Sequence, residues 1–184
     1  QENAQCALAL ASVLGLPMEQ SAESLQTYAG AWRRMEVRGE ILNGVTVIDD
    51  YGHHPAEIRA TLQALRDAYP NRRIVCVYQP HTHDRTLALY DDFTTAFMNA
   101  DLVVIPNIYA ARNHCDRALV DEDRFVFDIA RGSGVAAFHG QSLLATERLL
   151  RENVLRSGDV LLCMGAGDIT DLATRMLSDV SVPA

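Results

Sequence analysis

Asp49-Asp50-Tyr51-Gly52-His53-His54-Pro55 follows directly on the apolar run 45–48, and this junction decides how the chain is read. A buried strand ends, and two acids, a phenol and two imidazoles arrive before a proline that can open a helix. The loops at the carboxyl ends of strands in α/β sheets are where ligands bind, because side chains and helix amino-termini converge there. A second polar cluster, Gln79-Pro80-His81-Thr82-His83-Asp84-Arg85-Thr86, follows the apolar run 74–78 in the same way. Two clusters, each after a strand, read as one site.

Working outward, strand and helix patterns alternate from about residue 45 to the end. After 45–48 comes a helix from 55 to about 68, with Ile58, Leu62 and Leu65 as its buried stripe. Then follow strand 74–78, a helix near 87–98, strand 102–105, an irregular stretch 106–120 and a helix near 121–131. Strand 135–138, a helix near 142–152, strand 160–164 and a last helix 169–177 complete the pattern. Alternation of this kind predicts an α/β fold: a mostly parallel, doubly wound, Rossmann-like sheet. Residues 35–38 alternate like a strand, and Asn43-Gly44 is a hairpin signal leading into 45–48, so an antiparallel edge strand is expected. An Ala- and Leu-rich helix, 3–14, and a second helix, 18–29, with Met18, Ala22, Leu25 and Ala29 at helical spacing, precede the sheet, broken by Gly15 and Pro17; Asn3 is positioned to cap the first. They cannot bury their apolar faces alone, so residues 1–31 read as the remnant of a neighbouring domain and 32–184 as a domain of its own. The start, Gln1-Glu2-Asn3, is neither an initiator methionine nor a signal peptide, and the chain reads as a piece of something longer.

Composition narrows the function classes. The 184 residues carry a net charge of −8, which argues against nucleic acid as a partner. No apolar run approaches the ~18 residues of a membrane span. The four cysteines form no C-x-x-C pair and read as reduced cytosolic thiols, with Cys76 and Cys163 inside apolar runs. No G-x-x-x-x-G-K-[ST] loop is present to hold a triphosphate, and no Ser or Cys nucleophile sits in an activating motif.

Each polar residue has two readings. Asp50 can accept from sugar hydroxyls and Tyr51 and His53 can contact a substrate; alternatively, Asp49 and His54 only cap the following helix. In the second cluster, Arg85 offers a permanent charge for a carboxylate or phosphate, and His81 beside it can donate to a developing oxyanion. His83 reads equally as a surface residue, and Arg72 and Arg73 as exposed charge. Gly165-Ala166-Gly167 resembles a phosphate-cradling loop, yet a tight turn capped by Asp168 explains it equally well. His53, His81, His83 and His114 lack metal-ligand spacing, so no metal site is expected.

Taken together, Arg33-Arg34-Met35-Glu36, D-D-Y-G-H-H-P at 49–55, Q-P-H-T-H-D-R-T at 79–86 and G-A-G-D-I at 165–169 resemble the carboxy-terminal part of the Mur ligases. Asn3-Ala4 and the helix after them look like the end of that family's central ATPase domain. The resemblance covers nearly the whole chain. Within the family, the second motif in this form points to the member that joins L-alanine to UDP-N-acetylmuramate.

The resemblance implies an amide-forming peptidoglycan-precursor ligase with ATP and Mg2+ as cofactors, both held largely by the missing central domain, and a missing amino-terminal domain for the UDP-sugar. It places Asn3 near adenine, Arg34 and Asp50 near the ATP ribose, and Tyr51, His53, His81 and Arg85 near alanine and the acyl end of the sugar nucleotide. His53, His81 and Arg85 are the implied catalytic set; Gly165, Gly167 and Asp168 line the same cleft. Thr82 stands where many members carry a second arginine. The fragment alone is expected to be inactive. The rival reading is a nucleotide- or anion-binding module without its own catalysis.

Overall fold

A computed structural model describes residues 2–28, 30–41, 44–110 and 118–178. Contacts divide the chain into two compact units, Gln1–Ala31 and Trp32–Ala184. The first unit holds helices α1 (Glu2–Val13) and α2 (Met18–Gln26). Asn3 lies inside α1 rather than ahead of it, so it does not serve as its cap. No residue of α2 is buried, and Leu10, Val13, Leu14, Leu16 and Met18 are all exposed.

The second unit is built on six strands: β1 (Glu36–Ile41), β2 (Val45–Asp50), β3 (Ile74–Tyr78), β4 (Leu102–Pro106), β5 (Ala136–Gln141) and β6 (Val160–Met164). Their order across the sheet is β1-β2-β6-β3-β4-β5. β1 pairs with β2 antiparallel, and every other pairing is parallel. The expected sheet and its antiparallel edge are therefore both present. Asn43, half of the hairpin signal, lies outside the described residues; Gly44 takes φ 92°, a conformation that favours glycine.

Helix α3 (Pro55–Ala68) carries the predicted stripe: Ile58, Leu62 and Leu65 are at most 1% exposed. Each such side chain contributes roughly 1.5–3 kcal/mol by leaving water. The helix near 87–98 is instead two short ones, α4 (His83–Ala88) and α5 (Tyr90–Thr94). Thr82 accepts from the Arg85 amide and starts α4 early, and Leu89, at φ −118° and ψ 20°, leaves helical geometry between them. Helices α6 (Glu122–Ser133), α7 (Leu143–Leu149), continued by a π-helical turn at Leu150–Val154, and α8 (Ile169–Ser178) complete the layers.

Side chains alternate along each strand between two cores. Ile48, Cys76, Tyr78, Val103, Leu162 and Met164 face one cluster with residues of α3, α5 and α6. Val47, Val75, Val77, Val104, Leu161 and Cys163 face the other with Leu150, Leu172 and Met176. The helices after β2 and β3 thus lie on one face and the helix after β6 on the opposite one. Since β6 is inserted between β2 and β3, the chain leaves adjacent strands in opposite directions at the carboxyl edge of all three. That is the switch point at which open α/β sheets form a crevice.

Candidate functional site

The crevice is bounded by the ends of β2, β6 and β3, where both polar clusters begin. Asp50, 3% exposed, closes β2. Its Oδ1 accepts from the Gly52 amide at 2.7 Å and its Oδ2 from the Met35 amide at 2.8 Å. Burial pushes its carboxyl above the usual value, against the opposing pull of these two amides and of Arg34. Gly52 allows a close approach: a Cβ would lie 2.7 Å from Asp50 Oδ1 and would displace the end of the Met164 side chain. Tyr51 turns outward, its ring edge-on to that of His53 at 5.6 Å, with Arg33 and Arg34 over its face at 5.2 and 5.7 Å.

The next turn is fixed by a capping box. His54 Nδ1 accepts from the Ala56 amide at 3.2 Å, and Glu57 Oε2 accepts from the His53 and His54 amides at 2.8 and 3.0 Å. Burial alone would raise the Glu57 carboxyl, but those amides outweigh it and hold it below the ordinary range. His54 caps α3 as the structural reading expects. Asp49 does not. It points to the other face and is fully buried, accepting from Arg33 Nε at 3.1 Å, Arg38 Nη1 at 3.3 Å and the Thr170 hydroxyl. An acid at the penultimate strand position faces away from the helix that follows, which is why it cannot cap it.

The second cluster is tied to the first through Tyr78. This buried phenol donates to the His53 carbonyl at 3.1 Å. Burial pushes its ionisation upward. Arg85 is exposed on the first turn of α4. Thr82, at φ 62° and 7% exposed, caps α4 and takes the Thr86 hydroxyl on its carbonyl at 2.8 Å. His81 forms a bridge with Tyr109, their rings 5.4 Å apart. His83 is not simply solvated: its Nδ1 accepts from the Val120 amide at 3.1 Å. His114 and Cys115 lie outside the described residues.

The third segment, 165–168, closes the crevice between the other two. Gly165, at φ 147°, donates its amide to the Asp50 carbonyl at 3.0 Å, and a Cβ there would meet the Gln79 carbonyl at 2.6 Å. A Cβ on Gly167 would meet the Tyr109 ring at 2.6 Å. The glycines admit close protein neighbours. Asp168 receives the Gln79 side-chain amide at 2.7 Å, which joins this turn to the second cluster.

Arg34, half-exposed, lies 3.9 Å from Glu57 and lines a shallow cavity of about 310 Å3 with Met35, Asp50, Glu57, Ala60 and Thr61. Of the site residues expected from sequence, Arg34, Asp50, Tyr51 and His53 gather at the end of β2, His81 and Arg85 at the end of β3, and Gly165, Gly167 and Asp168 at the end of β6. Asn3 belongs to the other unit.

Sequence reasoning missed Glu57 and Tyr109, and carried Arg33 and Gln79 only as members of their motifs, without a role of their own. Glu57 was discoverable as the acid three residues after His54. Arg33 could not be told apart from Arg34, because a buried arginine reads like any other charge beside a turn. Among the described residues no group of three His, Cys, Asp or Glu side chains could hold a metal ion.

Comparison with known proteins matches residues 33–167 to the family described as Mur ligase, glutamate ligase domain. The UDP-N-acetylmuramate–L-alanine ligase of Agathobacter rectalis is 42% identical over 95% of this chain and 37% of its own length. That of Desulfosudis oleivorans is 44% identical over 96% of this chain and 38% of its own length. Among solved structures, the UDP-N-acetylmuramate-alanine ligase of Thermotoga maritima superposes with a TM-score of 0.75 at 28% identity, over 96% of this chain and 36% of that one. The chain thus spans little more than a third of the relatives it matches.

Proposed function

The chain belongs to the Mur ligase family, and from that premise we propose that it is the carboxy-terminal domain of a cytoplasmic, ATP-dependent ligase joining L-alanine to UDP-N-acetylmuramate. The observation that carries this reading is that relatives bearing that activity in their names match 95% or more of the chain, including both polar loops at the crevice. ATP supplies the phosphoryl group that activates the sugar's carboxylate, and the alanine amine then displaces phosphate.

Arg85 is exposed and pairs the alanine carboxylate or the developing negative charge. His81 and His53 donate to the oxygens of the reacting acyl group, and Tyr51 packs against the substrate. A fixed array of donors stabilises charge as it develops, because it needs no reorganisation at the moment of reaction.

The cavity beside Arg34 fits a ribose: one wall is apolar, and each Asp50 oxygen, already accepting one backbone N–H, retains a lone pair for a hydroxyl. Asn3 approaches the adenine, and the 165–168 turn lines the cleft. Mg2+ and the phosphates are assigned to the central domain that the family resemblance implies. Residues 1–31 are the end of that central domain, and domain closure completes the site.

The test has two arms. The full-length protein should form an amide from L-alanine and UDP-N-acetylmuramate with ATP consumed stoichiometrically, and the 184-residue chain should not. Turnover by the isolated chain refutes the division of labour. Tight binding of ATP, ADP or NAD by the chain alone, without ligase activity in the full protein, favours a binding module instead.

A further inference from the structure

Among the described residues of the second unit Arg33 is the least exposed cation, at 3%, and it stands one residue before Arg34. Its side chain and its backbone are both committed, to four residues in three segments. Nε pairs with Asp49 Oδ1 at 3.1 Å, and Nη2 donates to the Gly165 carbonyl at 2.6 Å. Its amide donates to Glu36 Oε2 at 3.0 Å, and its carbonyl accepts from the Tyr51 amide at 2.7 Å. The guanidinium also lies over the rings of Trp32 and Tyr51, at 5.8 and 5.2 Å.

The backbone around it is held in a costly shape. Arg33 and Met35 take φ 51° and 48°, a region that side-chain-bearing residues populate rarely and at a cost of roughly 1–3 kcal/mol each. These two left-handed residues flank Arg34. An unanchored segment would relax to ordinary geometry and rotate Arg34 away. Met35 is fastened by Asp50, and Arg33 by the buried contacts just described. The planar guanidinium fork suits this: it reaches a carboxylate and a carbonyl at once, which an ammonium on a flexible stem does not reproduce.

We infer that Arg33 is a positioning residue: it pins residues 32–35 to the ends of β2 and β6, and so sets Arg34 and Tyr51 toward the crevice. It does not itself face a substrate, because its donors are directed inward to Asp49 and Gly165. This deepens the ligase reading and rests on it for the kinetic arm of the test. It also assigns different work to the two adjacent arginines, which the sequence presents as equals.

The experiment uses the full-length protein with Arg33→Lys and Arg33→Met, assayed well below each variant's unfolding temperature. Arg33→Met should raise KM for ATP by about 10-fold or more and KM for L-alanine, through Tyr51, by a clearly smaller factor, with Arg33→Lys between it and the parent. Amide hydrogen exchange of residues 51–53 should accelerate by about 10-fold or more in Arg33→Met, with exchange in β3 and β4 unchanged. Equal changes in all three KM values, or a fall in stability with unchanged kinetics, would overturn the assignment. If the parent protein shows no ligase activity, the functional reading has failed and exchange alone decides. In that case, unaltered protection at 51–53 sinks the positioning role.

Discussion

The two ends of the sheet use the same chemistry to different ends. At the amino-terminal edge, Arg72 donates to the carbonyls of Gly44, Gly158 and Asp159, and Arg73 pairs with Asp159 at 2.6 Å. Arg66 there pairs with Asp101, also at 2.6 Å, and Asp101 in turn accepts from the Ile74 amide. Every one of these charges closes a turn. At the carboxyl edge, Arg33 and Arg38 meet Asp49 in a similar way, but Arg34 and Arg85 remain exposed beside them. What separates the two edges is the crevice: the exposed Arg34 and Arg85 stand at the switch point, where the proposed site lies.

Variants can break that contrast. The largest expected effect is from Asp49→Ala, which strands the buried Arg33 guanidinium. It should cost about 3–5 kcal/mol, read as a lowered denaturation midpoint, and should also impair ATP use in the full-length protein. Asp159→Ala at the opposite edge should cost about 2–3 kcal/mol, because Arg73 retains some solvent, and should leave the kinetics of the folded enzyme unchanged. If both variants altered catalysis alike, the distinction between the edges would be lost.

Smaller effects sharpen the contrast. Arg85→Ala should lower kcat/KM for L-alanine by about 10-fold or more with no change in thermal stability, as expected for losing a charge-assisted pair made only with substrate. Unchanged steady-state kinetics would remove Arg85 from the site. His54→Ala should do the opposite, costing about 1 kcal/mol of stability through the lost helix cap and little activity.

The gentlest probe is acid. Glu57, whose carboxyl is held low, contributes stability that is full above its ordinary range and lost as pH falls through the lowered folded value. Asp50, held high by burial, has the opposite sign. Its contribution is full below the ordinary carboxylate range and lost as pH rises through the raised folded value. Glu57→Gln should therefore flatten the fall in unfolding temperature toward acid, and Asp50→Asn should steepen it. Thermal melts across the carboxylate range distinguish the two, and identical profiles would contradict both assignments.

How much was legible in the sequence follows the same division. The sheet, its antiparallel edge, α3 and the loops at 49–55 and 79–86 were readable because periodicity, Pro55 and strand-end polarity are local signals. The break between α4 and α5 was not, because it depends on Thr82 starting a helix four residues early. Arg72 and Arg73 looked like surface charge, and only the sheet order, which brings residues 44 and 158–159 beside them, gives them carbonyls and a carboxylate to hold. Asp49 was read as a helix cap, and Arg33 was not separated from Arg34, for the same reason: their partners lie 121 and 132 residues away, at Thr170 and Gly165.

The fully buried thiols of Cys76 and Cys163 stand on adjacent strands but face opposite layers, and burial pushes both away from the reactive thiolate. A pulse of alkylating reagent therefore timestamps each layer separately. Cys76 is modified only when α3, α5 and α6 lift away, and Cys163 only when α7 and α8 do, so mass spectrometry of the two peptides reveals which side of the domain opens first.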